Sequence, residues 1–389
     1  MQRVYFTPYG VGLGHASRLL VLADYLKDFG FISIFSSFGE AKNYLKIHGY
    51  DCNTVPPVEF LWGREGEFSA KHNIAKIPRW TTNLPIQITK EIAYIKKYNP
   101  DIIISDSRIS SLIAGKMLNI PTILIINQIK LLLTPRLRKI RTVKFFEACM
   151  GEFMGGLWRI SDEILIPDLP PPYTISEETI NSVNSTKSKI KYIGFISPKR
   201  NISDINVNKV ADLLRIDRTK LIVFVHISGP KETRIPIILK IIEACKTLTD
   251  IQFIFSEGRS NGNMLPKKIS NNIWYYEWCP HRDEIFLLSN GLIIRGGHTA
   301  ISQAIQFGKP FISIPIENHG EQLSNSNKVE KLGIGLSLDP KVIEKTIIKL
   351  SIEKIIYDSK YVKKALQVME MSNKLDGIDN IKNIIFSSI

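Results

Sequence analysis

The sequence predicts an α/β protein made of two doubly wound domains that face each other across a cleft. Three observations predict it. Short, almost wholly apolar runs such as "DIIISD" and "PTILIIN" alternate with segments of helical period, the pattern of parallel strands covered on both faces. The alternation breaks off in a polar stretch and then restarts. The chemically unusual clusters fall just after strand-like runs, where parallel sheets bind ligands.

In order, "RVYFTP" reads as a strand, residues 16–29 as a helix, "FISIFSS" as a strand and "EAKNYLKIHG" as a helix ending at Gly49. "DIIISD" is a buried strand, "SSLIAGKMLN" a helix and "PTILIIN" a strand, and "ILIPDLPPPY" ends a strand at Pro167. Residues 174–200, rich in Ser, Asn, Thr and Lys around "KYIGFI", read as an interdomain connection. Then follow the strand "KLIVFVHISG", the helix "RIPIILKIIEACKTL", the strands "IQFIFSEG", "IWYYEWC" and "GLIIRGG", a helix from about Thr299 and the strand "PFISIPI". The expected organisation is an N-terminal domain over 1–190, a second over 191–365, and a surface helix over 366–389 that packs back on the first.

Composition narrows the classes. The 389 residues, 44% hydrophobic, allow two real cores. The four cysteines form no CxxC pair, which argues against a zinc site or disulfide framework and fits a cytoplasmic protein. No signal-peptide pattern and no run of 18 apolar residues occurs, so no spanning helix is expected. A net charge of +14 fits an anionic substrate, nucleic acid or an anionic membrane face, or simply a basic surface.

Three stretches carry chemistry. In "GVGLGHASR", Gly10, Gly12 and Gly14 permit a tight turn, but the spacing fails the dinucleotide fingerprint because His15 opens the helix. The positive end of a helix dipole disfavours imidazolium, leaving a neutral ring able to accept a proton; His15 could equally be a packing residue. In "IIISDSRISS", Asp106 ends a strand and either caps the next helix or orients a histidine from a neighbouring loop. Strands one and four of a doubly wound sheet are commonly adjacent, which would bring Asp106 to His15. The third stretch spans residues 278–325. Backbone N–H groups after Gly296 and Gly297 can hold a diphosphate, with Arg295 or His298 adding charge. Trp278 offers a plane for a base, Gln303 could reach a ribose, and Glu321 and Gln322 could meet sugar hydroxyls.

Residues 278–322 resemble the nucleotide-sugar signature of UDP-glycosyltransferases: W-x-P at Trp278, G-G-x-T at Gly296, G-x-P at Gly308, then an acidic residue and Gln at Glu321 and Gln322. The R-x-G at Arg295 is similar to the bacterial N-acetylglucosaminyltransferase that completes the peptidoglycan lipid precursor. "GLGHASR" resembles the N-terminal loop of a related archaeal and bacterial group. The resemblance covers most of the chain and implies the GT-B superfamily, with two Rossmann-like domains. It implies His15 as general base with Asp106 as partner, and Trp278, Arg295, Gly296, Gly297, His298, Thr299, Gln303, Glu321 and Gln322 as donor-binding residues. "HISG" implies Ser228 and Gly229 beside the phosphates, and Gly14, Asn127 and Gln128 stand on the acceptor side. The family usually carries Glu where this chain has Gln303; an amide has a single acceptor oxygen, so donor affinity or nucleotide choice is expected to differ.

The activity implied is inverting, metal-independent transfer from a nucleotide diphosphate sugar, with UDP the first choice, to an acceptor hydroxyl. Residues 278–325 lack the Glu-x7-Glu of many retaining relatives, and no Asp-x-Asp occurs near these loops; no cofactor is expected. Residues 129–146 hold six basic residues and no acidic one, flanked by Leu131–133 and by Phe145 and Phe146. Such a segment is either an ordinary solvated helix or a peripheral contact with the inner membrane face that delivers the enzyme to a lipid-linked acceptor. Alternatives are a non-catalytic nucleotide-sugar-binding subunit and a nucleotide-sugar 2-epimerase. Nucleic acid is not an expected partner, because no aromatic platform accompanies the charge.

Overall fold

The computed structural model describes residues 1–58, 70–198, 206–259 and 262–389. The first half runs β1 (Arg3–Pro8), α1 (Leu13–Lys27), β2 (Ile32–Ser37), α2 (Gly39–Ile47), β3 (Cys52–Thr54), α3 (Ala70–Tyr98), β4 (Ile102–Asp106), α4 (Ile109–Met117), β5 (Thr122–Ile125), α5 (Pro135–Arg138), α6 (Arg141–Trp158), β6 (Glu163–Ile166), α7 (Glu177–Ile180) and β7 (Ile190–Tyr192). The second runs α8 (Val207–Leu214), β8 (Leu221–His226), α9 (Lys231–Cys245), β9 (Ile251–Ser256), β10 (Lys267–Ser270), β11 (Ile273–Tyr276), α10 (Arg282–Leu288), β12 (Gly291–Ile294), α11 (His298–Gln306), β13 (Phe311–Ser313), α12 (Gly320–Leu332), β14 (Gly335–Ser337), α13 (Lys345–Tyr357), α14 (Ser359–Asn373) and α15 (Gly377–Ser388).

Two seven-stranded sheets result, ordered β3-β2-β1-β4-β5-β6-β7 and β10-β11-β9-β8-β12-β13-β14. The first is parallel throughout, and the second is parallel except for β10 on β11. The apolar strands explain this: β4 is buried at all five positions and β9 at all six, which requires helices on both faces. In the second half, Phe224, Ile254 and Ile294 point into one core, while Val223, Val225, Phe253 and Ile293 point into the other. This is the period-two alternation of a strand.

Three expectations need correction. The connection placed at 174–200 still belongs to the first domain up to Tyr192, because β7 adds an edge strand to β6. Residues 199–200 of that stretch lie outside the described residues. The surface helix expected over 366–389 is two helices that part at Leu375. The α14 residue Val368 packs in the core of the second half. The α15 residues Ile378, Ile381 and Ile385 lie in the first-domain core with Leu19, Leu22 and Leu26. The α15 N-terminus is capped by Asp376, whose carboxylate accepts from the N–H groups of Ile378 and Asp379 at 3.1 and 3.0 Å. Finally, the basic segment is a hairpin of α5 and α6 rather than one helix. Lys130 is buried with its Nζ 3.7 Å from Glu147, and Arg138 lies 3.0 Å from the same carboxylate.

The carboxyl ends of the two sheets face each other. Asn127, after β5, approaches Glu321 of α12, with its Nδ2 3.5 Å from Oε1. Ser324 donates to Glu178 at 2.7 Å, and Lys328 pairs with Glu177. The start of α12 is pressed against the first domain so closely that a Cβ on Gly320 would stand 2.5 Å from the Leu132 carbonyl.

Candidate active site

The loop after β1 and the end of β4 build the first wall. The register pairs Pro8 with Asp106, and the Tyr9 N–H donates to the Asp106 carbonyl at 3.0 Å, so the turn into α1 begins beside that carboxylate. Helix α1 starts at Leu13, three residues earlier than the sequence pattern indicates, and this places His15 in its first turn. His15 Nδ1 lies 2.7 Å from Asp106 Oδ1. The carboxylate is fully buried whereas the imidazole is 26% exposed. With Nδ1 turned to Asp106, Nε2 is the nitrogen left for a reacting proton. The Tyr9 ring holds the imidazole from the side, edge-on at 5.6 Å.

Arg18, one turn further along α1, is a site residue that the sequence reading missed. Its Nε and Nη2 donate to Oδ2 and Oδ1 of Asp106, both at 2.8 Å. Burial pushes the Asp106 carboxyl up, but Arg18 and then His15 outweigh it and hold the group below the usual carboxylate range. Asp106 is therefore a fixed anion at neutral pH. The i, i+3 spacing of His15 and Arg18 is the signal that could have found the arginine.

The opposite wall is the turn from β12 into α11. Gly297 is the N-cap of α11 and no side chain caps the helix; Ala300 and Ile301 donate to the Gly297 carbonyl, both at 3.1 Å, which leaves the N–H groups that precede them for a ligand. Gly296 has no room for a side chain: a Cβ there would stand 2.4 Å from the Gln322 carbonyl. The two walls meet, since a Cβ on Gly14 would lie 3.4 Å from Thr299 Oγ1. The residue before His15 thus touches the first turn of α11.

Several expected donor contacts are altered by what the side chains already hold. Arg295 is 3% exposed and donates to the carbonyls of Ser228, Ile314, Pro315 and Thr233, at 3.3, 3.2, 3.4 and 2.9 Å. Its guanidinium ties the Ser228 loop and the 314–315 segment to the first turn of α9 and does not face the cleft; burial and then the charge of Arg234 lower it to about 10. His298 is buried, its Nε2 3.2 Å from Asp168 and its ring edge-on to Phe195, so its side chain serves the interdomain contact. Gln322 Oε1 accepts from the Ile316 N–H at 3.0 Å, which leaves its amide NH2. Gln303 Oε1 accepts from Arg282. Glu321 faces Asn127 across the cleft, and Gln128 is half-buried beside it. Ser228 and Gly229 follow β8, with the Gly229 carbonyl held by Arg234 at 2.8 Å. Arg234 is in turn paired with Glu257 at 3.1 Å. Trp278 is half-buried and lines a depression of about 640 Å³ together with Lys209, His281 and Arg282.

Residues 237–381 match the family model of the glycosyltransferase family 28 C-terminal domain. The chain is 26% identical over 380 residues to a glycosyltransferase of Methanosarcina acetivorans, covering 98% of this chain and 97% of that one. It superposes on the kitacinnamycin glycosyltransferase with a TM-score of 0.71 at 14% identity, covering 100% of this chain and 99% of that one. The chain is a GT-B glycosyltransferase. A third relative of this GT-B enzyme aligns over 105 residues at 34% identity, 26% of this chain and 30% of its own. It is the UDP-N-acetylglucosamine–N-acetylmuramyl-(pentapeptide) pyrophosphoryl-undecaprenol N-acetylglucosamine transferase of Thermosipho africanus. Among the described residues of the glycosyltransferase, no helix is long and apolar enough to cross a membrane.

Proposed function

We propose that the enzyme transfers a sugar, with inversion and without a metal, from a UDP-sugar to the hydroxyl of a lipid-linked acceptor. The observation that carries this reading is the confrontation of the His15–Asp106 pair with the uncapped start of α11, in contact through Gly14 and Thr299. His15 Nε2 takes the acceptor proton as the oxygen attacks the anomeric carbon. The C–O bond to the diphosphate breaks on the opposite face. Charge growing on the departing diphosphate is met by N–H groups of α11 and by the helix dipole, already oriented before reaction. Asp106 stays ionised, fixes the tautomer of His15 and stabilises the imidazolium that forms. Arg295 acts indirectly, by holding the Ser228 loop and the 314–315 segment in place. The name of the Thermosipho relative supports UDP as the nucleotide and a pyrophosphoryl-lipid acceptor.

The lipid-linked acceptor is further supported by α6, which exposes Phe145, Phe146, Met150 and Phe153 along one face, with Arg136, Lys139, Arg141 and Lys144 around them. Apolar residues rimmed by cations suit the headgroup region of an anionic leaflet. The reaction itself is tested by His15→Ala. General base catalysis contributes about 10²–10⁴-fold, so turnover falls by that factor while nucleotide affinity, measured by calorimetry, stays within error. Unchanged turnover removes His15 from the mechanism.

A further inference from the structure

Resting on the reading of the turn into α11 as the diphosphate site, we propose that Asn325 is a positioning residue for the transfer: it fixes the Gly296–Gly297 peptide so that the Gly297 N–H is presented to the leaving diphosphate. Asn325 lies on α12 and is fully buried, and its Nδ2 donates to the Gly296 carbonyl at 3.1 Å. The amide has one possible orientation there, because a carbonyl only accepts and the NH2 must turn towards it. Its Oδ1 is left buried with no partner among the described residues. An unpartnered buried acceptor disfavours the folded state, and leucine has the same branched outline without one. Packing alone therefore does not call for asparagine at this position; the bond to Gly296 does.

A trans peptide points its carbonyl and its N–H in opposite directions. The Gly296–Gly297 bond is trans, the cis bond among the described residues being Pro171–Pro172. With the carbonyl drawn to α12, the Gly297 N–H points away from that helix. No backbone carbonyl among the described residues accepts from it. Gly296 and His298 are buried while Gly297 is half-buried, and a Cβ on Gly297 would meet nothing within 4 Å, so the peptide borders open space. The anchor itself is fixed. Ser326, the neighbour of Asn325, shares a hydrogen bond of 2.6 Å with Ser313 of β13 and donates to the Gln322 carbonyl at 2.8 Å, which holds α12 against the sheet. The N–H groups of His298 and Thr299 take their direction from α11. That of Gly297 precedes the helix, and a side chain outside α11 sets its direction. A donor aimed before charge develops needs no reorganisation as the diphosphate departs.

The test is calorimetric titration of the full chain and of Asn325→Leu with UDP and with uridine, which lacks the diphosphate. The readout is the ratio of the two Kd values, because loosened packing lowers the unfolding midpoint without singling out the phosphates. Asn325→Leu is expected to lose about tenfold in UDP affinity and to keep its uridine affinity within about threefold. Unchanged UDP affinity overturns the inference, and so does a loss shared equally by uridine. A second measurement uses isotope-labelled glycine amides in the natural chain, the Gly297 signal being assigned by its absence from Gly297→Ala. UDP is expected to move the Gly297 amide proton downfield and uridine to leave it in place. A Gly297 signal that bound UDP does not move overturns the inference, and this result decides where Asn325→Leu does not fold or uridine is too weak to titrate. Failure of UDP to bind the natural chain overturns the diphosphate reading instead, a separate result.

Discussion

Arg18 separates what a residue contributes by its own chemistry from what it contributes by place. It is mostly buried behind the first wall of the cleft and supplies two of the hydrogen bonds that keep Asp106 anionic, and Asp106 orients His15. Replacing it by Met removes the stronger of the two influences that lower the Asp106 carboxyl and leaves burial, which raises it. The sign follows. In the natural protein the depressed carboxyl adds stability above the unfolded-state value of about 3.9, and that stability is lost only as the pH falls through the lower folded value. In Arg18→Met the folded value rises, so the acid limb of the kcat/KM profile moves to higher pH. Stability at neutral pH falls by about 3 kcal/mol, the lower end for a buried pair that loses one partner. An unmoved acid limb, with stability alone reduced, would make Arg18 purely structural. The His15–Asp106 pairing was legible in the sequence because strand adjacency and register bring the ends of β1 and β4 together. Arg18 was not, because Asp106 was read as the partner of a single histidine, and the i, i+3 spacing that sets Arg18 beside His15 on α1 went unused. Arg295 was misread for a different reason. It continues the alternation of β12 on the face of Ile293, so its side chain goes beneath the loops while the backbone after it turns to the cleft.

At the scale of elements, the turn from β12 into α11 is shaped by α12 as much as by its own glycines. A Cβ on Gly296 would meet the Gln322 carbonyl at 2.4 Å and Ser326 Oγ at 2.5 Å, so α12 has to move for any side chain to fit. Gly297 meets nothing within 4 Å and has a φ of −73° that any residue adopts. Gly296→Ala is therefore expected to cost about 1–3 kcal/mol in denaturant unfolding and to weaken nucleotide binding, because the displaced helix carries Glu321 and Gln322. Gly297→Ala leaves the unfolding midpoint where it was. Equal midpoints for the two variants would contradict the close packing of α12. The elements were read most clearly where the strands are apolar and long, as in β4, β8 and β9. They were read least clearly where tertiary contacts outweigh local pattern. Strand β7 has three residues and exists because β6 offers it an edge. The α5–α6 hairpin looked like one basic helix because the pairing of Lys130 and Arg138 with Glu147 spans elements that local sequence does not connect.

For the whole molecule, the +14 net charge decides little until it is known which cations remain uncommitted around an apolar surface. In the basic segment over 129–146, Lys130 and Arg138 are committed to internal carboxylates, and Arg136, Lys139, Arg141 and Lys144 are exposed. Around them Phe145 is 72% exposed, Phe146 61% and Phe153 60%. The hairpin adjoins the cleft, since Leu132, which leads into it, touches the start of α12. A surface seated here would hold a lipid-linked acceptor next to the gap between the domains. Each exposed cation adds about 1 kcal/mol at an anionic leaflet, and each phenylalanine that leaves water adds about 1.5–3 kcal/mol. The two contributions respond differently to conditions: the charge is screened by salt and the apolar part is not. Flotation with phosphatidylglycerol vesicles at low salt is therefore expected to carry the protein, and raising the ionic strength weakens but does not abolish the association. The double substitution Phe145→Ser, Phe146→Ser reduces vesicle binding by about tenfold or more, a change of about 1.4 kcal/mol or greater. Its unfolding midpoint stays unchanged, because both rings already face solvent in the free protein. Binding of the double variant indistinguishable from that of the natural chain, or no binding to anionic vesicles at low salt, would leave α6 an ordinary exposed helix and the acceptor's lipid character without support from this face.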